Sequence, residues 1–300
     1  EIVVSDSPSR RNFLFGRASA TEDRWLLFLA RLRRTCQGTV APLGAEHARL
    51  VPARFDDVCQ ARDLCATFDV CMALEGLPLP EADNTRAVLW VQAGSAWGSL
   101  MPLGDSGHWR VEAGCPLAGM HAAGLLAQPH HGAPENLAQW LATIGREQPN
   151  LDHLGLVSIE WLFADGTIEV LGAFGQADSQ PLRSLKAQQT IPKLFELSAE
   201  PLVDQSLAKK WWPGIFRIDA LTRQPAVNLA NVVVGSAGAL GWLVAATFDQ
   251  SAVRVPAACE GFSCPAQTSS ETALWVAIDQ QVKAVMDPQN LFMSPPIQTR

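Results

Sequence analysis

Apolar residues recur along this chain with two different spacings, and the spacing assigns the elements. Trp25, Phe28, Leu29 and Leu32 fall on one face of a 3.6-residue repeat. Thr21 stands where a cap belongs, Glu22 and Asp23 lie in the first turn, and Arg33 and Arg34 in the last, so a helix is predicted. After Leu50–Val58 a second helical repeat follows: Val58, Ala61, Leu64, Cys65 and Phe68. Strand-like runs come next at Val70–Leu74, Ala87–Val91 and His108–Ala113, the first leading into the turn-rich Glu75-Gly-Leu-Pro-Leu-Pro80. Gly114-Cys115-Pro116 opens a helix predicted from Leu117 to about Leu126. Leu156–Leu171 alternates on both sides of Ala164-Asp165-Gly166, and Asp-Gly supports a primed turn, so a hairpin is predicted. Ile191–Leu197 reads as helical. Val232–Val234 and Trp242–Phe248 read as strands enclosing Gly235-Ser-Ala-Gly-Ala-Leu-Gly241. Thr268-Ser-Ser-Glu271 is a capping box for a helix carrying Leu274, Ile278, Val282 and Val285 on one face and stopped by Pro288.

Three glycines between two apolar runs need a reason, because glycine weakens any regular element. Either the backbone bends sharply there or something comes very close to it. Composition narrows what that something is. The 300 residues are 48% apolar and 18% charged, with a net charge of −7 and only short Arg pairs, which argues against nucleic acid as the main partner. Seven cysteines form no C-x-x-C pair, and they read as buried reduced thiols rather than metal ligands. His130-His131 reads as a loop, since adjacent side chains on an extended segment diverge. No metal site is expected. Ser9-Arg10-Arg11-Asn-Phe-Leu-Phe15 resembles a twin-arginine export signal. The apolar run after it, Trp25–Ala30, is only six residues long and bracketed by charge, so a cytoplasmic location is expected. No apolar stretch reaches the roughly 18 residues of a membrane span.

The order of segments carries a resemblance. Leu50–Val58, Val88–Val91, Trp109–Cys115, Ala142-Thr-Ile-Gly145, Ala164–Val170, Val234–Gly241 and Lys283–Ser294 together resemble the FAD-binding domain of the vanillyl-alcohol oxidase / p-cresol methylhydroxylase (PCMH-type) flavoproteins. The likeness is greatest to the FAD-binding subunit of glycolate oxidase. It implies an α+β fold of two subdomains with FAD in the groove between them, and redox chemistry on a 2-hydroxy acid or similar alcohol. It also implies a partner subunit that completes an oxidoreductase complex. The domains expected are an N-terminal extension with an amphipathic helix over 1–44, the FAD-binding-like domain over 45–250, and a C-terminal helical segment over 251–300.

A pyrophosphate is held by main-chain N–H groups that glycines expose. The cofactor-binding positions implied are Gly76, Leu77, Pro78, Gly114, Gly145, Arg146, Gly235, Ser236 and Gly238. The phosphate loops are degenerate. The first keeps only Gly76, places Glu75 beside the phosphates and carries two prolines that donate nothing. The lid after Gly145 is short, with Arg146 as a charge-assisted substitute donor, and the acidic residue expected after Gly-Ser is Ala237. No catalytic base is identified; His108, His121 and His153 are loosely placed, each more easily read as structural. Three readings stay open: an FAD-dependent oxidoreductase or its FAD-carrying subunit, a cofactor-free accessory or assembly protein on the same fold, and a binder of a different small molecule. In the second reading Trp211-Trp-Pro-Gly214 would be an interaction surface.

Overall fold

A computed structural model describes residues 22–77, 86–127, 134–144, 151–175, 181–207, 212–222, 227–253 and 269–295. Helix α1 (Glu22–Thr35) buries Phe28, Leu29 and Leu32 and lies across helix α2 (Phe55–Phe68), which buries Val58, Ala61 and Cys65. Both faces follow the spacing read from the sequence. The turn before α2 is fixed by Asp57. Its fully buried carboxylate accepts from the amides of Gln37, Gly38 and Ala53 at 2.8–2.9 Å. A buried charge is tolerated when donors surround it in this way.

The first sheet has the order β1 (Thr39–Gly44), β2 (His47–Val51), β4 (Val88–Val91), β3 (Cys71–Leu74). β2, β4 and β3 run parallel, and β1 forms an antiparallel hairpin with β2. All four residues of β3 are buried, as expected of a short parallel strand covered on both faces. The second sheet is wholly antiparallel: β5 (Leu100–Pro102), β6 (His108–Glu112), β11 (Trp242–Asp249), β7 (Leu156–Leu162), β8 (Ile168–Leu171). Helices α3 (Leu117–Ala122) and α4 (Leu137–Thr143) lie between β6 and β7 in the chain. Strands β9 (Ala173–Phe174) and β10 (Val227–Asn228) pair with each other, helices α5 (Leu185–Ser198) and α6 (Pro201–Leu207) lie between them in sequence, and α8 (Ser269–Met286) rests on α5. The fold is α+β, with a four-stranded, a five-stranded and a two-stranded sheet among the described residues, and one continuous apolar cluster joins the two larger ones.

Three local expectations change. Val232–Val234 is not a strand. Helix α7 (Ala230–Val233) takes most of it; just before it the Asn228 side chain accepts from Ala230 N and donates to the carbonyls of Leu156 and Val157. The hairpin forms at Asp165-Gly166, but Phe163 and Thr167 close a three-residue loop with Gly166 at φ 89°, and Asp165 stays at negative φ. That is the geometry of a loop with one left-handed residue rather than a two-residue primed turn. Trp212 is core rather than surface: its indole donates to Phe216 O at 2.8 Å and its ring meets Trp275 edge-on at 4.8 Å. Trp211, His130, His131, Thr268 and the Ser9–Phe15 motif lie outside the described residues.

Candidate functional site

The groove implied by the resemblance is bounded by the loop after β3, by α4, and by the glycine turn between α7 and β11. Each element arrives for a local reason. Asn136 caps α4, accepting from Gln139 N at 3.0 Å, and its amide donates to Ala93 O. That cap turns the side chain of Gln139 toward β3. The Gln139 amide donates to Glu75 O at 3.0 Å and accepts from Glu135 N at 2.9 Å. A Cβ on Gly76 would stand 2.3 Å from Gln139 Nε2, so the space against this glycine is already filled by the protein. The Glu75 carboxylate is ion-paired with Arg49. Leu77 packs against the apolar cluster.

The glycine turn is equally self-contained. Gly235, Ala237 and Gly238 all have positive φ, which curls the turn back over the end of α4. The amide of Gly235 donates to Leu141 O at 2.7 Å, that of Ala237 to Ala142 O at 2.9 Å, that of Ser236 to Val233 O at 3.3 Å and that of Ala239 to Ser236 O at 3.0 Å. Four of the donors that a phosphate would need are therefore engaged by carbonyls. Gly114 serves close backbone approach elsewhere: an added Cβ would lie 2.0 Å from Gly94 O. Pro78, Gly145 and Arg146 fall outside the described residues.

Between the two sheets remains a narrow crevice lined by Leu74, Leu141, Ile159, Trp161, Ser236 and Trp242, among others. Its cavity volume is about 30 Å³, roughly room for two waters. The lining among the described residues is apolar and carries no cation. Of the implied set, Ser236 and Gly238 come together on this crevice, while Gly76 and Gly114 do not line it. Taken together, the described residues do not fit a dinucleotide as the resemblance implies: four amides of the glycine turn are engaged by carbonyls, Gln139 covers the first loop, and the groove is nearly closed.

The histidines do not converge. His108 lies on β6 opposite Asp249, His121 on α3 with Nδ1 3.1 Å from Leu126 O, and His153 in a 3₁₀ turn at Asp152–Leu154; none lines the crevice. The cysteines Cys36, Cys59, Cys65, Cys71 and Cys115 are in no disulfide. Burial is the main cause that pushes Cys36 up to about 12 and Cys59 and Cys115 up to about 11, with neighbouring carboxylates adding to it. They stay protonated and are poor nucleophiles or ligands. No group of three or more metal-ligating side chains occurs among the described residues, and no described helix is long and apolar enough to cross a membrane.

Sequence reasoning missed Gln139, Trp161 and Trp242. The cap motif at Asn136 placed Gln139 on an inward turn, and buried indoles always pose the question of where their N–H goes; neither signal names its partner.

No family model matches the sequence, and no curated protein matches it. In structure the chain is similar to alkyldihydroxyacetonephosphate synthase solved in two crystal forms, each with a TM-score of 0.40 and 13% identity over 67% of this chain and 31% of that one. This chain thus aligns to under a third of the length of those structures.

Proposed function

We propose that the chain is a cofactor-free accessory or assembly protein built on a degenerate flavoprotein-type fold, acting through association with the subunits of an oxidoreductase complex. One observation carries this reading: the amides of Gly235, Ser236, Ala237 and Ala239 are all engaged by main-chain carbonyls, two of them from α4. To bind a diphosphate the turn would have to give up those bonds and leave the α4 carbonyls unpaired, which is unfavourable for buried groups. The expected result is a colourless protein whose thermal midpoint does not move with added FAD, because a ligand that binds the native state stabilises it. A preparation with flavin absorbance, or a midpoint that climbs with FAD, overturns the proposal. Isolation from its own cells should bring down oxidoreductase subunits; recovery of the chain alone counts against the assembly role.

A second reading is an FAD-binding oxidoreductase, or the FAD-carrying subunit of a dehydrogenase acting on a glycolate- or lactate-like 2-hydroxy acid. It rests on the order of the quoted segments and on the crevice that persists between the two sheets, with Ser236 and Gly238 in its wall. The same FAD titration separates the two.

A further inference from the structure

We infer that the outward face of helix α1 is a self-association surface, on which α1 of a second copy of this chain packs antiparallel across a two-fold axis. The inward face is spent on the fold: Phe28, Leu29 and Leu32 are buried, and the helix lies across α2. The outward face is not polar, as a solvated helix face would be. Leu26 is 62% exposed and Leu27 55%, side by side, and Ala30 is exposed one turn further on. Scattered exposed leucines need no explanation, but two adjoining ones in the middle of one helix face form a patch.

The charges at the two ends of the helix define what covers that patch. Positions 23, 26, 27, 30, 33 and 34 recur at steps of three and four and so form one stripe of α1. The stripe reads Asp, Leu, Leu, Ala, Arg, Arg, and Glu22 adds a second acidic residue at its first end. Reversing a second copy about position 28 sets Asp23 of one copy opposite Arg33 of the other, and Leu26 opposite Ala30. Each pairing is then made twice, as a two-fold axis requires. A parallel second copy would set acid against acid and Arg against Arg, so the charge order selects the antiparallel arrangement. Acid first and Arg last also suits the helix dipole; it is the leucines exposed between them that call for a partner. The other arginines of the helix turn to the fold. Arg24 donates to Thr67 O at 3.3 Å and Arg31 stands 5.6 Å over the Phe68 ring, whereas Arg33 and Arg34 are exposed. The helix is 14 residues long, about 21 Å, which is small for a protein interface, so a weak, concentration-dependent dimer is expected. This pairing is independent of what the groove between the sheets holds.

The test is sedimentation equilibrium of the full chain from about 1 μM to 1 mM, beside two variants of opposite charge. Glu22→Arg with Asp23→Arg makes the stripe basic at both ends, and Arg33→Glu with Arg34→Glu makes it acidic at both. The wild-type mass should rise from one chain toward two as concentration increases. Each variant alone should remain a single chain, because like charges then face each other at both ends, and an equal mixture of the two should dimerise. A wild type that stays monomeric, association unchanged in either variant, or a mixture that stays monomeric overturns the inference. A foreign protein seated on this face, or residues 1–21 of the same chain, would leave the wild type monomeric and so fall under the first of those outcomes. Circular dichroism reports whether both variants keep the fold. If one does not, Leu26→Asp puts a charge into the apolar centre of the pairing and should weaken dimerisation about tenfold or more; no weakening overturns the inference.

Discussion

Two regions of this molecule treat their buried polar groups in opposite ways. At the C-terminal end of α8 every one is satisfied. The Lys283 ammonium donates to Asp287 Oδ2 at 2.6 Å, Ala239 O at 2.6 Å and Phe292 O at 2.7 Å, using all three of its hydrogens. Asp287, 1% exposed, accepts in turn from Leu291 N and Phe292 N. This ties the tail to the glycine turn, and Phe292 bridges to Met72 on β3. Burial pushes the Lys283 ammonium below the usual lysine value, with Asp287 pulling the other way. A few residues away, the indole donors of Trp161 and Trp242 are buried without a partner in the protein. The contrast teaches which buried groups support the fold. A buried polar group that is fully paired holds the fold together; one left unpaired does not.

Removing a partner from the closed region should have the largest effect. Asp287→Ala leaves Lys283 buried with its charge uncompensated and should cost about 3–5 kcal/mol in urea unfolding. The double replacement Lys283→Met with Asp287→Leu should recover a large part of that. If the single variant is as stable as the parent, the region is not closed and the contrast fails.

Gly241→Ala tests the open region. Its Cβ would meet Trp161 Nε1 at 2.3 Å and Leu162 O at 2.7 Å, at a backbone φ of 155°. A loss of about 1–3 kcal/mol is expected, as for overpacking a core, with a change in tryptophan fluorescence as the wall shifts. An unchanged spectrum would mean that the wall is not seated on this glycine.

The smallest effect sharpens the closed side through pH. Burial alone would raise the Glu169 pKa, but its carboxylate accepts from the amides of Ser184 at 2.7 Å, Arg183 at 3.0 Å and Val170 at 3.2 Å, which together hold it below the usual 4.5. A folded value below the unfolded one contributes stability that is present above pH 4.5 and lost as pH falls through the folded value. Glu169→Gln should therefore cost about 1–2 kcal/mol near neutrality and progressively less in acid. Parallel stability curves for the two proteins would mean that these amides do not hold the Glu169 pKa down.

The order of elements was legible in the sequence because helical and strand periods are local. The buried faces of α1 and α2, the hairpin at Asp165-Gly166 and the apolar β11 all follow from residues within a few positions of each other. Where the local signal was weak it misled: three valines at 232–234 look like a strand, yet a short helix takes Ala230–Val233, with the Asn228 side chain accepting from its first amide. The candidate site was legible only as a set of glycines. Whether their amides face a ligand or a carbonyl depends on Leu141 and Ala142, nearly a hundred residues earlier in the chain, and Gln139 reaches Glu75 across 64.

Sequence alone thus determined the class of fold and the positions where the backbone turns, since period, caps and glycines act over short range. The tertiary structure decided which donors remain available. A hydrogen bond has one partner at a time, and that partner is chosen by packing between segments that the chain itself keeps far apart.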